Sequence, residues 1–359
     1  MSGLIHLYVW WRLVHHAQLP RRAHRILTIA IVVMWLSIPL TTTSRLWWPA
    51  FASTVAWIPM PWMAFVGLTA VALLALELPR RAVRIDPSRR QFLARVTGGT
   101  AAFVAGGSVI GGMESARGEH DVVDVEVALP KLPEQLDGFT IVQLSDLHTG
   151  LTIDRAFVQR VVDRANALAP DLIALTGDLV DGPVDDLRGD VAPLADLRAK
   201  HGVFAITGNH EYYAGAEPWV REITRLGARY LRYDVVTIAD GFDLAGVDDH
   251  SAPTKPSTLT AFGQRLAARD ASRPLVMLAH QPRQIHDGWG ADLQLSGHTH
   301  GGQIWPWHYI VKWQQGGLLA GRYQIDKTQL YVTRGCGYWG PPVRLLAPLE
   351  ITRVILRAA

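Results

Sequence analysis

The hydrophobic pattern changes character once along the chain. As far as about Met113 apolar residues come in long runs. Beyond it they come in runs of four or five, each closed by a glycine or a polar residue. The long runs are Ile26 to Leu40, Trp57 to Leu78 and Val96 to Met113. A membrane span takes about 20 mostly apolar residues, so each is predicted to be a span. The competing reading, a buried core helix, is strongest for the third, where Gly98, Gly99, Gly106, Gly107, Gly111 and Gly112 weaken a helix. Leu4 to Leu19 is broken by Arg12, His15 and His16. It reads as an interfacial helix or as the tail of a truncated span.

Past residue 117 the pattern is that of strands and helices in turn. Asp121–Leu129 alternates apolar and polar residues, as a half-exposed edge strand does. Thr140–Leu144, Leu172–Thr176, Val203–Thr207, Leu275–Ala279 and Leu293–Ser296 read as buried strands. Helices are expected at Ile153–Leu168, with Thr152 or Asp154 as cap, and at Val191–Ala199, Glu217–Leu226 and Leu259–Ala268. Ala228–Arg232 is a short strand, and Val235–Ala239 with Phe242–Val247 a pair joined through Asp240-Gly241. Gln329–Thr333 and Leu349–Leu356 are late strands. Alternation first and hairpins later predict an α/β fold, a mixed sheet layered by helices. Two domains follow: residues 1–117 as a membrane anchor and 118–359 as a separate α/β domain.

Charge sharpens that division. Residues 1–117 hold 12 Lys and Arg against 3 Asp and Glu, while residues 118–359 hold 23 against 29. The basic pI of about 9.1 therefore belongs to the amino-terminal part, and the acidic remainder argues against a nucleic-acid partner. Arg21, Arg22 and Arg25 precede the first span. Arg80, Arg81, Arg84, Arg89, Arg90 and Arg95 lie between the second and third, and the other loop carries only Arg45. By the positive-inside rule both clusters are cytoplasmic, so the chain after Met113 is extracytoplasmic. Trp35, Trp47, Trp48, Trp57 and Trp62 suit an interfacial belt. Ser88-Arg89-Arg90-Gln91-Phe92-Leu93 resembles a twin-arginine export signal. An ordinary stop-transfer pair is the equal alternative, and both deliver the same side. Cys336 is the only cysteine, which excludes an intrachain disulfide and a thiolate cluster.

Chemistry collects at the ends of the short runs. Five of them close on Asp146 and His148, on Asp178, on Asn209, on His280, and on His298 and His300. Residues i and i+2 of an extended segment point to one side. Ligands of an α/β sheet gather at the carboxyl ends of its strands. The seven side chains are thus expected to converge. A set of imidazoles and carboxylates without sulfur suits Mn, Fe, Co or Zn. Seven ligands exceed one ion and fit two if a carboxylate bridges. Two ions about 3.5–4 Å apart clamp an in-line displacement and supply hydroxide near pH 7. Neither a Gly-x-Ser-x-Gly elbow nor a P-loop is present, and with such a pair no serine or cysteine nucleophile is needed.

Asp146-Leu147-His148, Gly177-Asp178, Gly208-Asn209-His210-Glu211, His280 and Gly297-His298-Thr299-His300 resemble, in order, the five blocks of the calcineurin-like metallophosphoesterase family. Gly177-Asp178-Leu179-Val180-Asp181-Gly182 and Gly297 to Gln303 resemble its membrane-tethered, twin-arginine-exported phosphodiesterase branch. The blocks span residues 145–303, and the likeness continues to about residue 356.

The resemblance implies a four-layer α/β/β/α sandwich. It also implies one metal on Asp146, His148, Asp178 and His300, and another on Asp178, Asn209, His280 and His298. His210 would stand over the leaving oxygen as proton donor or charge stabiliser, the competing role being a hydrogen bond to a ligand. Asp181 orients a ligand histidine or is a solvated loop acid. Arg334 contacts phosphate or, on balance, makes a structural ion pair. His250 is expected at the surface and Cys336 in the interior. Trp305, Trp307, Trp313 and Trp339 wall the pocket, dip towards lipid or, the favoured role, fill a core.

The expectation is a membrane-anchored hydrolase of phosphomonoesters or phosphodiesters, acting on envelope or lipid-linked substrates with two ions of Mn, Fe or Zn. A catalytically silent sensor or scaffold would show decayed ligands, and a nuclease would need a basic surface.

Overall fold

The structure is a computed structural model that describes residues 2–45, 47–81 and 87–359. Arg84 lies outside the described residues, as do the side chains of Arg80, Arg81 and Arg90. Contacts divide the chain into two units, Met1–Arg117 with Gly340–Leu345, and Gly118–Trp339 with Leu346–Ala359.

The first unit is helical: α1 (Ser2–Trp10), α2 (Arg21–Ser44), α3 (Pro49–Val55), α4 (Pro59–Arg81) and α5 (Pro87–Arg117). Three stretches are long and apolar enough to cross a membrane, Arg21–Ser44, Pro59–Leu76 and Gln91–Arg117. The first is only 11% buried within the molecule. Ile26, Ile29, Val32, Val33 and Leu36 stand exposed along it, an apolar surface that suits a lipid environment. The glycines of α5 do not break it. Ala94, Ala101, Ala105 and Val109 are buried, so close packing of small residues offsets poor propensity.

The second unit holds twelve strands among the described residues. In chain order they are β1 (Asp121–Leu129), β2 (Thr140–Leu144), β3 (Leu172–Leu175), β4 (Val203–Ala205), β5 (Arg229–Tyr230), β6 (Asp234–Ile238), β7 (Phe242–Gly246), β8 (Leu275–Leu278), β9 (Leu293–Ser296), β10 (Gly321–Ile325), β11 (Thr328–Val332) and β12 (Glu350–Ala358). They form two six-stranded sheets, ordered β1-β12-β2-β3-β4-β5 and β10-β11-β9-β8-β7-β6. β1 is an edge strand, as its alternation predicts. The centre of each sheet is parallel, β2 to β5 in one and β7, β8, β9 and β11 in the other.

Burial on both faces explains the unbroken apolar runs. Ile141, Leu172, Ala174 and Phe204 of the first sheet share one core with Phe242, Leu244, Val276 and Leu278 of the second. Ile173 and Leu175 point the opposite way and are buried as completely. The helices of the crossovers cover that side: α6 (Arg155–Ala167), α7 (Val184–Val191), and the pair α8 (Asn209–Ala214) and α9 (Ala216–Arg225). Asp154 caps α6 by accepting from the Phe157 amide at 3.0 Å. The outer side of the second sheet packs on α10 (Pro256–Ala268), whose Phe262 joins Ala245, Leu275 and Met277. The result is the mixed α/β/β/α sandwich that the resemblance implies.

Two expectations are corrected. The helix placed at Val191–Ala199 lies earlier: α7 spans Val184–Val191, and a 3-10 turn follows over Ala192–Asp196. Pro193 has no amide to donate and closes the α-helical ladder. Asp185 and Asp186 in the first turn favour the start that is seen. The hydrophobic pattern marks neither β10 nor α11 (His308–Gln314). No residue of α11 is buried, so it carries no apolar stripe to read.

Candidate metal centre

The seven expected ligands all lie just past strand ends, but their backbone is not extended. Asp146, His148, Asp178, His298 and His300 have φ of 56°, 52°, 54°, 71° and 52°. The left-handed region costs an L-residue roughly 1–2 kcal/mol, and such strain concentrates at functional sites. Asp146 and His148 therefore converge through tight turns rather than through the pleat of a strand. Backbone bonds pin those turns across β2 and β3, Asp146 N to Gly177 O at 3.0 Å and His148 N to Asp178 O at 3.0 Å.

Ligand atoms gather in two adjoining groups, Asp146, His148 and His300, and Asp178, His280 and His298. In the first, His148 Nε2 is 3.0 Å from His300 Nε2, which is 3.4 Å from Asp146 Oδ1. In the second, His280 Nε2 is 3.2 Å from His298 Nδ1 and 3.1 Å from Asp178 Oδ2. Asp178 Oδ2 is also 3.8 Å from His148 Nε2, so one oxygen faces both groups. Asn209 Oδ1 is buried without a hydrogen-bond partner. His280 Nδ1 donates to Thr176 O at 2.8 Å, and His148 Nδ1 faces Asp181 Oδ1 at 2.7 Å. Both rings thus turn their other nitrogen, an acceptor when neutral, inward. Acceptors crowded together with an orphaned amide oxygen are what a pair of divalent cations would satisfy, and the donor set fits one.

A calcineurin-like phosphoesterase family model matches residues 139–302. A bovine protein named "Transmembrane protein with metallophosphoesterase domain" is 35% identical over 307 residues, which cover 81% of this chain and 68% of that one. The chain belongs to the calcineurin-like phosphoesterase family. A Helicobacter pylori protein named an uncharacterized metallophosphoesterase is 38% identical over 234 residues, 64% of this chain and 62% of the relative's length. Among solved structures, a dimetal phosphatase from Danio rerio aligns with TM-score 0.37 and 11% identity, over 55% of this chain and 88% of that one.

Calcineurin-like phosphoesterases use divalent metals, and in the metal-free site burial and close charges shift the titration of the grouped side chains. Burial opposes ionisation of Asp178, but the imidazoles of His280 and His148 overcome it and hold the carboxyl far below the usual range. Burial likewise disfavours the His148 cation. Asp181, Asp178 and Asp146 outweigh it and push the ring up to about 9. Burial and then the neighbouring His280 charge bring His298 down to about 4. Burial raises the Asp146 carboxyl.

Around the candidate ligands stand residues that hold them in place. Asp181 Oδ1 reaches His148 Nδ1 and His210 Nδ1, both at 2.7 Å, so the loop acid orients one ligand and the neighbour of another. The His210 amide donates to Asp178 Oδ1 at 2.8 Å. Glu211 is a support that the sequence reading leaves without a role. Its buried carboxylate accepts from Asp178 N at 2.9 Å, Leu179 N at 2.7 Å and Gly208 N at 2.6 Å, tying the β3 and β4 tips together. Its place in the Gly208-to-Glu211 block, three residues past a glycine cap, is the available signal. A Cβ at Gly208 would strike Asp178 Oδ1, and one at Gly297 would strike Asp146 Oδ2. Both positions let backbone lie against a ligand.

Other candidates lie off the centre. Arg334 Nε is 2.9 Å from Glu350 Oε2, the ion pair that the sequence reading favours. His250 is exposed and Cys336 buried. The favoured core role of the tryptophans does not hold: Trp305, Trp313 and Trp339 are 44%, 81% and 57% exposed, and Trp307 is half-buried. A cleft of about 530 Å³ opens beside the ligands, lined by Asn209, His298, Gln281, Arg283, Tyr213 and Trp313 among others.

Proposed function

We propose that the chain is a membrane-anchored, two-metal phosphoesterase. It hydrolyses phosphomonoesters or phosphodiesters, with envelope or lipid-linked phosphoesters as the class that an anchored enzyme meets. Residues 1–117 form the anchor, with α2, α4 and α5 as spans. Residues 118–359 form a catalytic domain on the extracytoplasmic side. The observation that supports this reading most is Asp178 Oδ2 standing between two ligand groups, 3.1 Å from His280 and 3.8 Å from His148.

One ion would be held by Asp146, His148, Asp178 and His300, the other by Asp178, Asn209, His280 and His298, with Mn, Fe or Zn suiting the donors. When bound, the pair supplies a nucleophile from water and stabilises charge on the phosphoryl oxygens. The chain's own residues do the rest. Asp181 holds Nδ1 of His210, which leaves Nε2 of that ring as the nitrogen that gives a proton to the leaving oxygen. Asp181 at the same time fixes the tautomer of His148. Arg283 in the adjoining cleft supplies a guanidinium for an anionic part of the substrate.

The test is hydrolysis of nitrophenyl phosphate esters by the purified full chain with Mn added, beside elemental analysis. Asp178→Asn is expected to lower both metal content and rate, by more than the roughly 10–100-fold that loss of a supporting residue costs. Equal rates for the variant and the wild type reject the two-metal reading.

A further inference from the structure

Eight large hydrophobic side chains are exposed among the described residues of the second unit, and five of them gather beside His210 and on α11. Tyr213 and Trp339, 73% and 57% exposed, stand against His210, with ring centroids 5.3 Å and 5.7 Å away. Trp313, 81% exposed, lines the cleft with Asn209 and His298. On the same short helix as Trp313, Tyr309 and Ile310 are 65% and 53% exposed. Isolated exposed apolar residues need no explanation, but a contiguous group at the mouth of a site does.

We propose that this rim, centred on α11, seats on an anionic bilayer surface, so that the site takes the phosphoester headgroup of a lipid lying in that bilayer. The proposal rests on the phosphoesterase reading and names its substrate class.

Three further observations select a bilayer as the occupant. Tryptophan and tyrosine, with an apolar body and one polar atom, are the residues that membrane interfaces favour. Charge is the second. Residues 293–325 contain Lys312 and Arg322 and no Asp or Glu, although residues 118–359 as a whole carry an acidic excess. A cationic, acid-free stretch complements anionic headgroups. Arg283 lies in the cleft behind the rim and suits a phosphate oxygen. Tether length is the third. α5 ends at Arg117 and β1 begins at Asp121. Gly118, Glu119 and His120 span no more than about 3.6 Å each, so a domain anchored by α5 is held to the bilayer by a short tether.

The experiment uses the full chain in phosphatidylglycerol vesicles. An environment-sensitive fluorophore is placed on Ile310→Cys, or on Ser272→Cys near the opposite, amino end of β8; the single native cysteine, Cys336, is buried and stays unlabelled. Nitroxide lipids should quench the probe at position 310 and leave that at 272 bright. Equal quenching at both positions, or none at 310, overturns the proposal, the latter being the result for a rim that meets another protein.

A second arm compares the nitrophenyl ester of phosphatidic acid in the vesicles with soluble bis(nitrophenyl) phosphate. In both, water supplies an oxygen to phosphorus and nitrophenolate leaves. Tyr309→Ser with Ile310→Ser should leave the soluble rate unchanged and lower the lipid rate by about tenfold, since both side chains lose apolar burial. A fall in both rates together, or in neither, counts against the rim. No hydrolysis of either ester by the wild type refutes the phosphoesterase reading instead, and the quenching arm still decides the surface.

Discussion

Asp181 couples two imidazoles through one oxygen, and the coupling has consequences that can be read by titration. In the protein stripped of metal, His148 is pushed up to about 9 by the carboxylates around it, against about 6.5 in an unfolded chain. A raised histidine contributes stability that is complete below the unfolded value and is lost as pH climbs through the folded one. Metal-free protein should therefore become less stable between pH 6.5 and 9. The metal-loaded form should move the other way, because ions require the neutral ring and gain affinity as protons leave. Thermal melts with and without Mn across that range check it, and parallel curves would contradict it. Asp181→Asn removes the carboxylate from both rings. It should weaken metal affinity about 10–100-fold and displace the acid limb of the rate profile, whereas a purely structural acid would leave that limb in place.

Among the loops, the tie between β3 and β4 is the part most exposed to a single change. Glu211 accepts three backbone amides through two oxygens. Glu211→Gln would replace one oxygen by an NH₂ that faces a donor. A lost bond to a charged group costs about 1.5–3 kcal/mol, and denaturant unfolding of the variant should show a loss of that size. Metal content should fall with it, because Asp178 N and Gly208 N hang on the same carboxylate. The glycines obey a related constraint. At Gly297 a side chain would collide with Asp146 and Ser145, so Gly297→Ala is expected to cost metal binding well before it costs the fold.

At the level of the full chain the question is which side of a membrane the site faces. Three stretches are long and apolar enough to span, and arginines crowd before the first and between the second and third. A reporter fused after residue 117 should behave as exported. Alkaline phosphatase activity there, with a silent cytoplasmic reporter at the same point, is the expected pair of results. The reverse pair would turn the topology over. The match to the first-named bacterial relative spans 62% of that protein's length.

The grouping of the seven candidate ligands was legible because metal chemistry is written in residue type and in position after an apolar run. Asp146, His148, Asp178, Asn209, His280, His298 and His300 each follow a strand-like segment, and the strands themselves follow from local periodicity. The helix that ends at Val191 lies several residues before its expected place, and α11, with no buried residue, leaves no periodic trace; β10 has only two half-buried apolar side chains to mark it. Folding alone decided which tips meet. His148 and His300 are 152 positions apart, and their contact depends on the order of strands in two sheets. The left-handed turns at five candidate ligands, the sharing of Asp181, the Glu211 tie and the exposure of Trp313 and Trp339 depend on it too. Sequence determines what a short segment prefers, through the geometry of a few neighbouring residues. Which distant side chains share one space is set by the packing of sheet on sheet and helix on sheet.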